Sequence, residues 1–415
     1  VLAPAKFRGK TMPEQIVIIG AGQAGVQAVQ SLRAEGYAGA ITMIGDEAYP
    51  PYQRPPLSKA YLLGSFARER LFLKPDAFYR EAGCELILNT AVTAIDRAAK
   101  KVVLGDGRSL AYDKLLLATG TRVRKLSCPG ADLPGVHHLR DIADVDGLQD
   151  VFKAGTRIAI VGGGYIGLEV AAVGAKRGLD VSVFETADRL MARAISKPVS
   201  EFFAGEHAKA GVKLNLNTSV EAFEGKEKIE GIRAGENVFP ADIVLVGIGV
   251  VPNDMLARES GLPCQDGIIV DQNAMTADPS VFAAGDCTRH IGREGVEIRL
   301  ECVQNAIDQA KHAALAMLGR PKTYSEVPWF WSDQYDLKLQ IAGLARPTDQ
   351  LVLRGDPASR KFAVFHLRDG AVAAVEAVNA APEYLIGRKM IADGAKVAPQ
   401  MLADLSIPMK QIAQG

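Results

Sequence analysis

Two glycine clusters carry the first chemistry legible in the chain. Gly20-Ala21-Gly22-Gln23-Ala24-Gly25 and Gly162-Gly163-Gly164-Tyr165-Ile166-Gly167 share the spacing G-x-G-x-x-G. In such a turn the first glycine permits the bend, the second lets a pyrophosphate approach the backbone, and the third lets helix and strand pack closely. The free N–H groups and partial positive charge of the following helix then favour phosphate. Gly20, Gly22, Ala24 and Gly25 therefore mark one candidate dinucleotide site, and Gly162, Gly164, Tyr165, Ile166 and Gly167 a second. An acid near the end of the next strand should accept hydrogen bonds from the adenosine ribose. Glu185 stands there in the second unit and would repel a 2′-phosphate, which favours NADH over NADPH, although the nearby Arg189 would soften the discrimination. In the first unit the acid is Asp46 or Glu47, slightly later than usual.

A simple dehydrogenase needs one dinucleotide. Two sites predict a resident FAD in the first and a mobile nicotinamide in the second. Gly285-Asp286, after a buried strand, supports this assignment, because a carboxylate at a helix start can bond ribityl hydroxyls and the glycine allows close approach.

The elements that must position these residues follow from apolar periodicity. Gln15 to Gly20 reads as a strand, Gln23 to Ala34 as a helix and Ala40 to Ile44 as the next strand, with Lys114 to Ala118 another buried strand. The pattern repeats with a strand at Arg157 to Val161, a helix from Tyr165 to Arg177 and a strand at Asp180 to Glu185. Ile243 to Gly249 and Val281 to Ala284 add further buried strands. From about Pro328 the text changes to aromatic clusters and alternating runs, such as Lys361 to Leu367 and Ala371 to Val378, predicting an α+β domain with an antiparallel sheet.

Composition bounds the rest. The chain has 415 residues, 48% of them hydrophobic, which suggests two or three domains. With 48 basic and 48 acidic side chains, no global field would hold it on nucleic acid or an anionic membrane. No apolar run approaches the roughly 20 residues needed to span a bilayer, and Val1 to Thr11 lack the apolar stretch of a secretory signal, so a cytoplasmic location is expected. Five scattered cysteines, with no C-x-x-C pair, indicate neither a disulfide framework nor a zinc site, and no metal is expected. Residues 1–11 read as a flexible leader.

Taken together, Gly20 to Gly25, Arg54-Pro55-Pro56-Leu57-Ser58-Lys59, Ala118-Thr119-Gly120, Gly162 to Glu169, Gly247 to Asn253, Ala283 to Asp286 and Pro328 to Gln334 resemble the FAD-dependent ferredoxin reductases of bacterial oxygenase systems. The resemblance covers nearly the whole chain from Gln15. It implies a glutathione-reductase-like α/β fold: two Rossmann-like dinucleotide-binding domains plus a C-terminal α+β domain. The FAD domain would comprise 12–121 and 251–327, the NADH domain 122–250 and the C-terminal domain 328–415. It further implies FAD contacts at Ala24, Asp46, Arg54, Lys59, Val92, Thr119, Gly120, Arg140, Asp286 and Val303, an aromatic against the flavin at Trp331, and a nicotinamide-nucleotide contact at Gly249. Lys59, paired with and oriented by Glu169, would place an ammonium near the flavin N5, and Tyr165 would pack beside the nicotinamide.

Disulfide reductases of the wider superfamily pass electrons to a nearby cysteine pair, and neither C-x-x-C nor C-x4-C occurs here. Electrons would leave from the flavin itself, one at a time, to a 2Fe-2S ferredoxin feeding a cytochrome P450 or ring-hydroxylating oxygenase. Arg68, Arg70, Arg289, Arg293, Arg320, Lys322 and Lys410 are candidates for docking this acidic partner. Two other functions compete: a reductase of peroxide, monodehydroascorbate or CoA disulfide, which would need Cys287 or Cys302, and an NADH-sensing protein in the manner of apoptosis-inducing factor.

Overall fold

Ile16, Val17, Ile18 and Ile19 are all buried, so the first strand, Gln15–Ile19, has apolar cover on both faces. That is the signature of the middle of a parallel sheet. In the computed structural model, which describes residues 14–414, it pairs in parallel with Ala40–Ile44 on one side and Lys114–Leu117 on the other. Cys84–Ile87 and Val281–Ala283 complete the five strands as its edges. The leader expected over residues 1–11 lies outside the described residues.

The helix after the first glycine turn, Gln23–Ala34, packs against the helix Val303–Met317. Small side chains make the approach possible: Ala24, Gly25 and Ala28 on one, Ala306, Ala310, Ala313 and Ala314 on the other, share one core with Ile16, Ile18 and Leu116. Opposite faces of the same strands enter a second core with Val102 and Leu104 from an antiparallel sheet, Val92–Asp96, Lys101–Leu104 and Ser109–Ala111, and with Tyr112 just beyond it.

The second glycine turn repeats the plan. Arg157–Val161 lies between Asp180–Phe184 and Ile243–Val246, with Lys213–Asn215 and Val136–His137 at the edges, all parallel. Ile243 to Gly249, read as one strand, is two pieces. The strand stops at Val246, and Gly249, with φ of +101°, turns the chain into a separate strand, Val250–Pro252.

The tail forms five antiparallel strands in the order Trp329–Gln334, Leu337–Gly343, Ala371–Val378, Lys361–Arg368, Gln350–Asp356, backed by the helix Ala381–Asp393. The six middle residues of Lys361–Arg368 are all buried, so this strand is covered on both faces. Ala363, Phe365 and Leu367 enter the core beneath the helix. On the other face Phe362 meets Phe202 edge-on, with 5.0 Å between ring centroids, and His366 bonds Glu376.

This second covered face explains how the chain divides. One compact unit comprises the residues up to 53, 69–122 and 251–326; the other comprises 54–68, 123–250 and 327 onward. The tail, expected as a separate domain, thus packs with the second nucleotide-binding half, and 54–68, expected in the first domain, does so too. Neither association is visible as a local pattern. Phe202 and Phe362 are separated by much of the chain, and only the fold pairs them.

Candidate functional site

In the first unit, a Cβ on Gly20 would fall 2.1 Å from the carbonyl oxygen of Ala118, and one on Gly25 2.3 Å from that of Gly20. These glycines are required by backbone crowding. Gly22 differs, because a Cβ there would meet nothing within 4 Å. The second turn repeats this pattern: Gly162 and Gly167 are jammed against the Gly247 and Gly162 carbonyls, whereas Gly164 faces open space. Protein packing accounts for the first and third glycines of each turn. The open second position, beside the helix start, is what a pyrophosphate needs, so both turns fit a dinucleotide.

Around the first turn, Gly285 sits with its α-carbon side toward Ala24 and Ala306, and its N–H donates to Gln309 Oε1 at 2.8 Å. Asp286 is thereby set next to the glycine helix, and Val303 opens the partner helix behind the Cys302 cap. Thr119 Oγ1 donates to the Asn253 carbonyl at 2.6 Å, and Asn253 Nδ2 returns a bond to the Thr119 carbonyl at 2.9 Å. Gly120, with φ of +61°, then turns the chain. Of the two acids considered, Asp46 is exposed beyond the strand end, and Glu47 accepts from the Tyr52 hydroxyl. Gly45 holds the place that Glu185 has in the second unit, because a Cβ would strike that of Ala21. Val92 is half-buried in the small antiparallel sheet.

In the second unit, the Glu185 carboxylate accepts from Gly163 N at 2.7 Å and Ala187 N at 2.8 Å, which locks it beside the glycine turn. Arg189, expected to soften nucleotide discrimination, has its guanidinium on the carbonyls of Ile195 and Ala192 instead, at 2.8 and 2.6 Å. Ile166 is 42% exposed at the helix start. Tyr165 stacks at a tilt on Phe330, with 4.6 Å between centroids, and burial keeps its phenol protonated. Arg193 lies near Gly249.

The most developed polar cluster of this unit surrounds Glu169, which is 2% exposed. Lys59 Nζ lies 2.6 Å from Oε2 and also donates to the Pro55 carbonyl at 3.1 Å. Ser58 Oγ donates to Oε2 at 2.5 Å and Ser332 Oγ to Oε1 at 2.6 Å. Pro55 and Pro56 lead into the short turn Leu57–Tyr61 that carries both Ser58 and Lys59. A carboxylate removed from water is tolerable only with such a set of donors. Arg54 donates to the Arg140 carbonyl at 2.8 Å, which brings these two expected contacts together. Trp331 lies on the opposite face of its strand from Ser332, with Trp329 at 5.8 Å between centroids.

Ser58, Ser332, Gln334 and His207 were not singled out from the sequence. The two serines stand inside motifs, and period-two alternation in Pro328 to Gln334 would have grouped Ser332 with Gln334. His207, near the end of the helix Lys197–Lys209, has no local signal.

Burial pushes all five thiols up: Cys84 and Cys264 to about 11, Cys302 to about 12, and Cys128 and Cys287 in the same direction. All five are free. A nucleophilic or redox-active thiolate needs the opposite shift. Of the docking candidates, Arg68 is paired with Asp146 at 2.6 Å, Arg289 with Glu297 at 2.9 Å and Arg320 with Glu35 at 2.9 Å. Among the described residues no helix is long and apolar enough to cross a membrane.

Two glycine cradles, each opening a helix from a parallel sheet, define a pyridine-nucleotide oxidoreductase, and residues 14–313 match the family described as pyridine nucleotide-disulphide oxidoreductase, to which this chain belongs. Residues 329–413 match the family described as reductase C-terminal. Within that family, the chain is 45% identical over 405 residues to a probable ferredoxin reductase of Castellaniella defragrans, covering 96% of this chain and 99% of the relative. It is 43% identical over 406 residues to the 5,5'-dehydrodivanillate O-demethylase ferredoxin reductase subunit of a Sphingobium species, covering 96% and 98%. The solved structure of a covalent putidaredoxin reductase–putidaredoxin complex is similar with a TM-score of 0.94 at 37% identity, covering 97% of this chain and 99% of that one.

Proposed function

We propose that this protein is an NADH-dependent ferredoxin reductase, passing the electrons of NADH through FAD to a 2Fe-2S ferredoxin that serves a cytochrome P450 or ring-hydroxylating oxygenase. The observation that carries it is the pair of cradles in one chain with an open second glycine each, at Gly22 and Gly164. The relatives, named as a probable ferredoxin reductase and a ferredoxin reductase subunit and matched over 99% and 98% of their length, support the choice of acceptor. So does the state of the cysteines, since a thiol raised by burial is a poor station for electrons. This disfavours the peroxide, monodehydroascorbate and CoA-disulfide readings.

When bound, FAD would supply the conversion between two-electron and one-electron chemistry. The residues that would hold it are Gly20, Gly22, Ala24, Gly25, Asp46, Arg54, Lys59, Val92, Thr119, Gly120, Arg140, Asp286, Val303 and Trp331. NADH is held by Gly162, Gly164, Tyr165, Ile166, Gly167 and Gly249, with Glu185 on the adenosine ribose. Because Glu185 is locked by two backbone donors and the Arg189 guanidinium is turned onto backbone carbonyls, a 2′-phosphate would meet a fixed negative charge. Lys59, held by Glu169 and the Pro55 carbonyl, supplies a preorganised positive charge for hydride transfer. Free thiols fit a reducing compartment and support a cytoplasmic location.

Anaerobic stopped-flow tests this reading. NADH should bleach the flavin bands of the holoprotein, and a 2Fe-2S ferredoxin should restore them with about two equivalents consumed per flavin. Loss of ferredoxin reduction after alkylation of the thiols would return the disulfide-reductase reading.

A further inference from the structure

Behind the Lys59–Glu169 pair a line of hydrogen-bonded polar side chains runs on from Ser332. Ser332 Oγ, which donates to Glu169, lies 3.3 Å from Gln334 Nε2. Gln334 Oε1 is 2.8 Å from His207 Nε2, and His207 Nδ1 is 2.8 Å from the Tyr335 hydroxyl. Ser332, Gln334 and His207 are each completely buried, while Tyr335 is partly exposed beside Arg360, Asp336 and Glu206. The line joins the tail sheet, through Ser332 and Gln334, to two helices of the nucleotide-binding half, through Glu169 and His207.

Its polarity is determined from both ends. An ionised Glu169 can only accept, so Ser332 must donate to it and keep a lone pair for Gln334. The Gln334 amino group also faces Met191 Sδ at 4.0 Å, and a thioether cannot donate, so the amide nitrogen belongs on that side and the carbonyl toward His207. His207 must then carry its proton on Nε2, leaving Nδ1 to accept from Tyr335. Burial raises the Tyr335 phenol and lowers the His207 imidazole, so the one remains an O–H donor and the other is neutral. Every bond in the line points toward Glu169. An amide does not readily pass a proton along such a line, but it does transmit orientation.

We infer that His207, Gln334 and Tyr335 are positioning residues for hydride transfer, a donor series that holds Ser332 turned toward Glu169 and so fixes Glu169 against Lys59. This rests on the proposed role of Lys59. Removing the Tyr335 hydroxyl frees His207 to take the other tautomer. Gln334 can then rotate, Ser332 can donate to the amide oxygen, and Glu169 loses a donor several residues from the change.

The test uses the full FAD-loaded chain with Tyr335→Phe and His207→Phe, and His207→Gln as the conservative partner, since glutamine can place an N–H where His207 Nε2 stands. Lys59 acetylation by acetic anhydride, read by peptide mass spectrometry without NADH, should be about tenfold faster in the two phenylalanine variants and near native in His207→Gln. The rate of flavin reduction should fall about tenfold in the same two, with the Kd for NADH within about twofold of native. Nitrogen-15 spectra should show His207 protonated on Nε2 in the native chain and a mixture of tautomers in Tyr335→Phe. The inference is overturned if Lys59 reactivity and reduction rate stay native while only Tm falls, or if the native tautomer is Nδ1–H. Failure of NADH to reduce even the native flavin would overturn the proposed function instead, and the Lys59 and tautomer readings would still stand by themselves.

Discussion

Glu185 shows how much a single carboxylate can be asked to do. Its two oxygens accept from Gly163 and Ala187 N–H groups, so it holds the glycine turn closed before any nucleotide arrives. The remaining lone pairs are what a ribose diol would meet. Glu185→Ala should therefore have two separable effects. The ratio of kcat/KM for NADH over NADPH should fall by at least about tenfold, because the fixed repulsion toward a 2′-phosphate is gone. Stability should fall by about 1–3 kcal/mol, because the buried Gly163 N–H loses its acceptor. Steady-state kinetics with both nucleotides checks the first and urea unfolding the second; an unchanged ratio would remove Glu185 from nucleotide selection.

At the scale of elements, the glycine turns separate residues that serve the fold from residues that serve the ligand. Gly20→Ala drives a Cβ into the Ala118 carbonyl at 2.1 Å from a backbone at φ of +117°, and should give little folded protein. Gly22→Ala has φ of −115° and free space around the new methyl, so it should express and melt like the native apoprotein while failing to retain FAD. Thermal melting of apoprotein, together with the flavin-to-protein absorbance ratio of the purified chain, reads the difference. The tail sheet supplies a second case. Glu376, fully buried, accepts from Ser196 N at 2.8 Å, from Ser196 Oγ at 2.5 Å and from His366 Nε2 at 3.1 Å. It thus ties the central strand Ala371–Val378 to the cap of the helix Lys197–Lys209. Glu376→Ala strands those donors and should cost about 3–5 kcal/mol, measured by urea unfolding.

For the whole molecule, the distribution of histidine decides how it meets acid. His290 is 3% exposed, neither ring nitrogen has a hydrogen-bond partner, and burial drives its pKa from 6.5 down to about 4. His207, His137 and His138 are shifted the same way, each chiefly by burial. The unfolded chain therefore binds protons that the folded chain refuses. Stability is fully present above pH 6.5 and is lost as pH falls through about 4. For His290 the loss amounts to roughly 3 kcal/mol over that window. His290→Phe, which preserves the ring packing on Tyr324, should flatten the fall of the urea midpoint between pH 6.5 and 4 and leave the neutral-pH midpoint the same or higher. A pH profile unchanged by that substitution would show that the acid response lies elsewhere.

The chain's local patterns determined the elements and the chemistry attached to them. The strand Arg157–Val161, the helix Gln23–Ala34 and both glycine turns are legible because backbone crowding and phosphate approach are short-range demands, met by residues within a few positions of one another. Glu185 was legible for the same reason, being set by the end of a strand. Tertiary structure alone decided that Arg189 is occupied by the carbonyls of Ala192 and Ile195, that Phe362 of the tail sheet meets Phe202, and that Glu169, besides its expected partner Lys59, gathers Ser58 and Ser332 from two distant segments. Those contacts depend on which faces two layers turn toward each other, and a buried polar group such as His207 takes its partners from the neighbouring layer, so no pattern along its own helix could announce them.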